Sequence, residues 1–113
     1  MFQSSAALKR NYRLDGASVY LTNDINEATP EKLLIKVMDY AIMHSKRGNL
    51  ENTNKALNLL LSSLRYDNDE AAKVSIGLKK LYDYCQDEMR NKNYGMVTKI
   101  LSELREAWLR ILE

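Results

Sequence analysis

From residue 30 onward, apolar residues recur at helical spacing in four stretches separated by short polar breaks. The first stripe is Leu33, Leu34, Val37, Met38, Ala41 and Ile42. Thr29 and Pro30 precede it as an N-cap and a first-turn proline, with Glu31 near the positive end of the helix dipole. Gly48 ends it, after Lys46 and Arg47, whose charges suit a helix C-terminus. Asn49 caps a second stretch with inward positions Leu50, Thr53, Leu57, Leu60, Leu61 and Leu64. The polar run Tyr66-Asp67-Asn68-Asp69 ends that helix, and Asp67 and Glu70 have the spacing of a reciprocal capping box for the next. Ala71, Val74, Leu78, Leu81, Tyr82, Cys85 and Met89 form the third stripe, and Asn91-Lys92-Asn93 breaks it. Val97, Ile100, Leu101, Leu104, Trp108 and Ile111 form the fourth, which places Trp108 in the core.

Each stretch is roughly 15 to 22 residues long, and the breaks are short. Short connections make consecutive helices antiparallel neighbours, so the pattern predicts an all-α fold, an antiparallel up-down four-helix bundle. Residues 1–29 differ. Tyr12, Val19, Tyr20, Leu21 and Ile25 are scattered among polar residues without sustained periodicity, and only residues 6–14 have the makings of one or two helical turns. The rest reads as an extended arm or a mobile tail, so the chain divides into an N-terminal head at 1–19, flexible or a short helix, and a bundle domain at 20–113 that includes an arm at 20–29.

Composition narrows the function classes. A chain of 113 residues suits one domain with a single core. Four glycines and one proline are too few for the turns of a β-sandwich or barrel. Seventeen basic and fifteen acidic residues, interspersed to a net charge of +2, make neither a nucleic-acid surface nor a membrane-binding one. Cys85 is the lone cysteine, so no internal disulfide forms, and a reducing compartment fits. The first residues lack the apolar run of a secretory signal and no later run spans a bilayer, so the expected location is cytoplasmic, without membrane insertion.

Catalytic chemistry is sparse. His44 is the single histidine, which removes most acid–base, metal and triad arrangements, and its place late in the first helix predicts a surface position. Cys85 lies on an inward stripe, as a small hydrophobe rather than a nucleophile. Gly16, Gly48, Gly77 and Gly95 are dispersed and form no phosphate loop. Glu103, Glu106 and Glu113 read as a solvated face, with no Glu-x-x-His pair for a di-iron site. The expectation is a non-enzymatic protein without metal or cofactor. What remains is a surplus of apolar residues. At 100° per residue, Leu59 lies about 150° from the centre of its stripe, Leu109 about 140°, and Ile76 nearly opposite its own, with Tyr84 and Met96 flanking theirs. Single apolar residues are ordinary on surfaces. Together, these five form either a groove for another protein's amphipathic segment or a surface for self-association.

The stretch YLTNDINEATPEKLL at residues 20–34 resembles the opening of the flagellar secretion chaperone FliS family. The matching positions are Tyr20, Ile25 and the helix start Thr29-Pro30-Glu31-Lys32-Leu33. LKKLYDY at 78–84 resembles the family's third helix, and LSELREAW at 101–108 its final helix, with the tryptophan near the end. Three motifs in register cover about residues 20–112. One departure stands out: the family's usual Leu-Tyr-Asp-Gly-Ala is Val37-Met38-Asp39-Tyr40-Ala41 here, which either repacks the first helix locally or turns Tyr40 outward. The head before Tyr20 is also longer than usual. The resemblance implies a cytoplasmic export chaperone for flagellin, binding its disordered C-terminal segment so that premature polymerisation is blocked and the client stays competent for type III secretion. Leu59, Ile76, Tyr84, Met96 and Leu109 are then the expected client surface, with Tyr20 and Ile25 as an N-terminal cap over the apolar surface. A flagellar export component and a second copy of the chain are further candidate partners. The alternative is a structural or regulatory helical bundle acting by self-association.

Overall fold

A computed structural model of the chain describes residues 29–112, which fold into four α-helices with no strand among them. They are α1 (Pro30–Lys46), α2 (Leu50–Ser62), α3 (Asp69–Arg90) and α4 (Tyr94–Leu112). Thr29 caps α1 by accepting a hydrogen bond from the Lys32 N–H at 3.3 Å, with Pro30 in the first turn. Asn49 caps α2 in the same way through the Asn52 N–H at 3.0 Å. The cap of α3 is Asn68, which accepts from the Ala71 N–H at 2.8 Å, and not Asp67 with Glu70. The Asp67 carboxylate is already taken: the Arg65 guanidinium donates to both of its oxygens, at 3.0 and 2.7 Å. That pairing holds the Asp67 carboxyl below its usual pKa.

Two connections are tight turns of one kind. After α1, the Gly48 N–H donates to Ser45 O and the Asn49 N–H to His44 O. After α3, the Lys92 N–H donates to Met89 O and the Asn93 N–H to Glu88 O. These are Schellman closures, and each needs one residue in the left-handed region. Gly48 supplies it at φ +67°, with Tyr94 packed so close that a Cβ there would lie 2.9 Å from the ring. Lys92 supplies it at φ +64°, a conformation unfavourable for a residue with a side chain. The remaining connection, residues 63–68, is longer.

Helix α1 packs most extensively, against α4 and α2, while α3 packs against α2 and α4. Covered on two sides, α1 buries a wider arc than its predicted stripe: Tyr40, His44 and Ser45 join Leu33, Leu34, Val37, Met38 and Ala41. The expected surface position of His44 is therefore corrected, because its ring is buried and lies 4.3 Å from that of Tyr40. Tyr40 follows the repacking alternative and turns inward. Each fully buried aliphatic side chain here is worth about 1.5–3 kcal/mol. Ala56, Leu57, Leu59, Leu60, Tyr82, Cys85, Met89, Val97 and Leu101 complete the core, with Trp108 partly buried against it. Leu50, Val74 and Ile111 fall on their stripes yet stay exposed.

Side-chain pairs fix the register between helices. Ser45 and Thr98 share a hydrogen bond of 2.7 Å, and Asp39 pairs with Arg105, so residue numbers fall along α4 as they rise along α1. Both hydroxyls also sit within reach of their own helix, at Ile42 O and Tyr94 O. With one proton each, they make the interhelix bond and one backbone bond at a time.

The two left-handed positions predict opposite responses. Gly48→Ala should lose about 1–2 kcal/mol from backbone strain alone, with displacement of the Tyr94 ring adding to it, whereas Lys92→Gly should gain about 1 kcal/mol. Urea denaturation with unchanged m-values reads both.

Candidate functional site

Residues from α1, the connection after α2, the first turns of α3 and the last part of α4 border a cleft of about 420 Å³. Its apolar walls are Leu34 from α1, Leu64 after α2, Val74, Leu78 and Tyr82 from α3, and Trp108 from α4. Small side chains, Ser63, Ala71 and Ser75, occupy positions at which larger ones would fill the space. Interiors pack closely and tolerate few voids of this size, so small residues grouped at one end of a bundle mark room for something else.

The rim is polar. Arg65, Asn68 and Glu70 border the cleft, and the Arg65–Asp67 fork fixes the guanidinium beside it. Burial pushes the Tyr82 phenol well above its ordinary pKa, so it stays neutral against the cleft wall. Cys85, one turn further along the inward face of α3, is fully buried, and desolvation raises its thiol to about 11. Among the described residues no cluster of three or more His, Cys, Asp and Glu could hold a metal ion. The cleft offers apolar surface along its walls and polar groups at its rim.

The structure rearranges the expected client surface. Leu59 is corrected outright: it is 3% exposed and belongs to the core. The buried face of α2 is Thr53, Ala56, Leu57, Leu59 and Leu60, whose centre is rotated by about 60° from the predicted stripe. Leu59 thus sits on the edge of the buried arc, because α2 is covered by α1 on one side and α3 on the other. Ile76 is 49% exposed, Tyr84 and Met96 are exposed, and Leu109 is partly so. None of these four lines the cleft. Tyr84 and Ile76 share the outer side of α3, whereas Met96 and Leu109 lie on opposite flanks of α4, near its two ends. Tyr20 and Ile25, like the head at 1–19, lie outside the described residues.

The cleft itself is lined by inward-stripe residues, so a search for apolar surplus on outer faces passes over it. The available signal was the opposite one, the small residues Ala71 and Ser75 at inward positions in the first turns of α3. Compared with models of known protein families, with curated proteins and with solved structures, the chain gives no match. No helix among the described residues is long and apolar enough to cross a membrane.

Two substitutions separate core from surface. Leu59→Ala should cost about 2–5 kcal/mol in urea unfolding, and Ile76→Asp should leave stability within about 0.5 kcal/mol. The Cys85 thiol should resist an aromatic disulfide reagent at pH 8 and react fully in denaturant. Because its folded pKa is raised, any stability it contributes is present below about pH 9 and is lost as pH rises toward 11.

Proposed function

We propose that this chain is a non-enzymatic cytoplasmic export chaperone that holds the disordered C-terminal segment of flagellin against its helices, keeping the client unpolymerised and competent for type III secretion. The observation that carries the reading is the open apolar cleft, about 420 Å³, in a protein otherwise packed around one core. A binding-competent disordered segment loses on the order of 2–5 kcal/mol on ordering, and burial of several large side chains must exceed that. The cleft offers Trp108, Val74, Leu78 and Leu34 to such side chains, and the exposed Ile76 and Tyr84 add apolar surface on the outer side of α3, away from the cleft. The sequence resemblance at 20–34, 78–84 and 101–108 supplies the identity of the client.

An antiparallel up-down arrangement capped by the arm is part of this reading. Its support is the two three-residue turns and the Ser45–Thr98 and Asp39–Arg105 pairs. The arm, residues 20–29, is the proposed displaceable cover, and Tyr20 and Ile25 are its apolar contacts. It joins α1 at Thr29, close along the helix to Leu34 of the cleft wall. Cover for an exposed apolar cleft limits aggregation while no client is present. The rival reading, self-association through the exposed Ile76, Tyr84 and Ile111, predicts a dimer and no client.

Titration of the full chain with a synthetic peptide of the cognate flagellin's C-terminal segment, followed by calorimetry, should give a one-to-one complex with negative ΔCp. Trp108, the only tryptophan, should shift its emission to the blue as the peptide covers it. Absence of binding, with a dimer in sedimentation, would sink the chaperone reading in favour of self-association.

A further inference from the structure

The walls of the cleft come from helices except on one side, where the connection between α2 and α3 closes it with Ser63, Leu64 and Arg65. A connection of this kind has backbone groups without helical partners and must find others to hold one shape. Most of its ties are local. Ser63 donates to Leu60 O at 2.7 Å, Arg65 forks onto Asp67, and Asn68 caps α3. None of these fixes the connection against the body of the bundle.

Ser75 does. Its side chain is buried on the second turn of α3, where the hydroxyl accepts a hydrogen bond from the Arg65 N–H at 3.1 Å and donates its own to Arg65 O. Both backbone groups of one connection residue are thereby satisfied by a single oxygen ten positions away. Among side chains of this size only a hydroxyl can donate and accept at one atom with such strength, and alanine can do neither. The same Ser75 lines the cleft, so the clasp lies on the wall it maintains.

We propose that Ser75 is the positioning residue of the binding cleft: it clasps the Arg65 backbone and so holds the α2–α3 connection, with Leu64, as a preformed wall. A wall fixed in advance spares the bound state the ordering of six residues, and affinity gained in this way disappears when the tie is cut. The consequence for binding rests on the chaperone reading above, whereas the effect on the shape of the cleft does not.

The test compares Ser75→Ala with Val97→Ala in the full chain. Val97 is buried in the first turn of α4 and does not line the cleft, so its truncation weakens the fold without touching the connection. Three readouts are taken: hydrogen exchange of the Arg65 amide, acrylamide quenching of Trp108, and affinity for the flagellin C-terminal peptide. Ser75→Ala should speed Arg65 exchange at least tenfold relative to the most protected amides, raise the Trp108 quenching constant, and weaken the peptide at least fivefold. Val97→Ala should shift the protected amides together and change peptide affinity less than twofold. Trp108 quenching that Ser75→Ala leaves unchanged, or a peptide affinity no weaker than that of Val97→Ala, overturns the positioning role. If the unsubstituted chain binds no peptide, the chaperone reading fails, and the clasp is then judged by exchange and quenching alone.

Discussion

Helix α4 closes the bundle by returning to α1, and the seam between the two is the contact on which the other packing depends. Val97 and Leu101 lie at its buried centre, the Ser45–Thr98 hydrogen bond fixes its register toward one end, and the Asp39–Arg105 pair lies further along. Because α1 is covered by α4 on one side and α2 on the other, its buried arc is broad enough to take in a histidine and a tyrosine. The ion pair is largely solvated, and such pairs contribute little energy, so the apolar contact holds the seam and the polar pairs set its alignment.

From that seam follows an asymmetry between the two ends. Two Schellman turns join α1 to α2 and α3 to α4 with three residues each, and they draw one end of the bundle tight, Tyr94 packing directly on Gly48. The third connection among the described residues, 63–68, is longer and borders the cleft. Small residues at Ser63, Ala71 and Ser75 leave space there that the larger side chains around them do not fill. A helix pair held tightly at one end and filled sparsely at the other opens toward the second, and an apolar cleft results. Tight closure and the open cleft are thus two outcomes of one distribution of side-chain sizes. A binding function needs both, since a cleft in a loosely held bundle would collapse upon itself.

The cleft also explains why polar residues cluster around residues 63–75. An exposed connection beside an apolar opening would ordinarily be mobile, and mobility would make the opening ill-defined. Here the Arg65–Asp67 fork, the Asn68 cap and the Ser75 hydroxyl each remove part of that freedom, the first two locally and the third against α3.

How much of this was legible in the sequence depends on the range of the interaction. Helix starts at Thr29 and Asn49, the stop at Gly48 and the burial of Cys85 follow from local periodicity and backbone chemistry, and the structure has them all. The choice of Asn68 over Asp67 as a cap is local too, but it turns on a side-chain competition that the capping pattern does not contain: Arg65, two residues earlier, takes the Asp67 carboxylate. Leu59 and His44 turn inward because neighbouring helices cover more of α2 and α1 than one stripe apiece, and coverage is a property of partners that helical phase does not contain. The cleft is further still from the chain's local code: it is an absence of filling among residues from three helices and one connection, visible only when Leu34, Leu64, Val74 and Trp108 are brought together. The sequence by itself determined where helices begin, end and turn an apolar side, since those depend on groups within a few residues of one another. Only the tertiary structure decided how wide each buried face is and where space is left, since both depend on which distant surfaces meet.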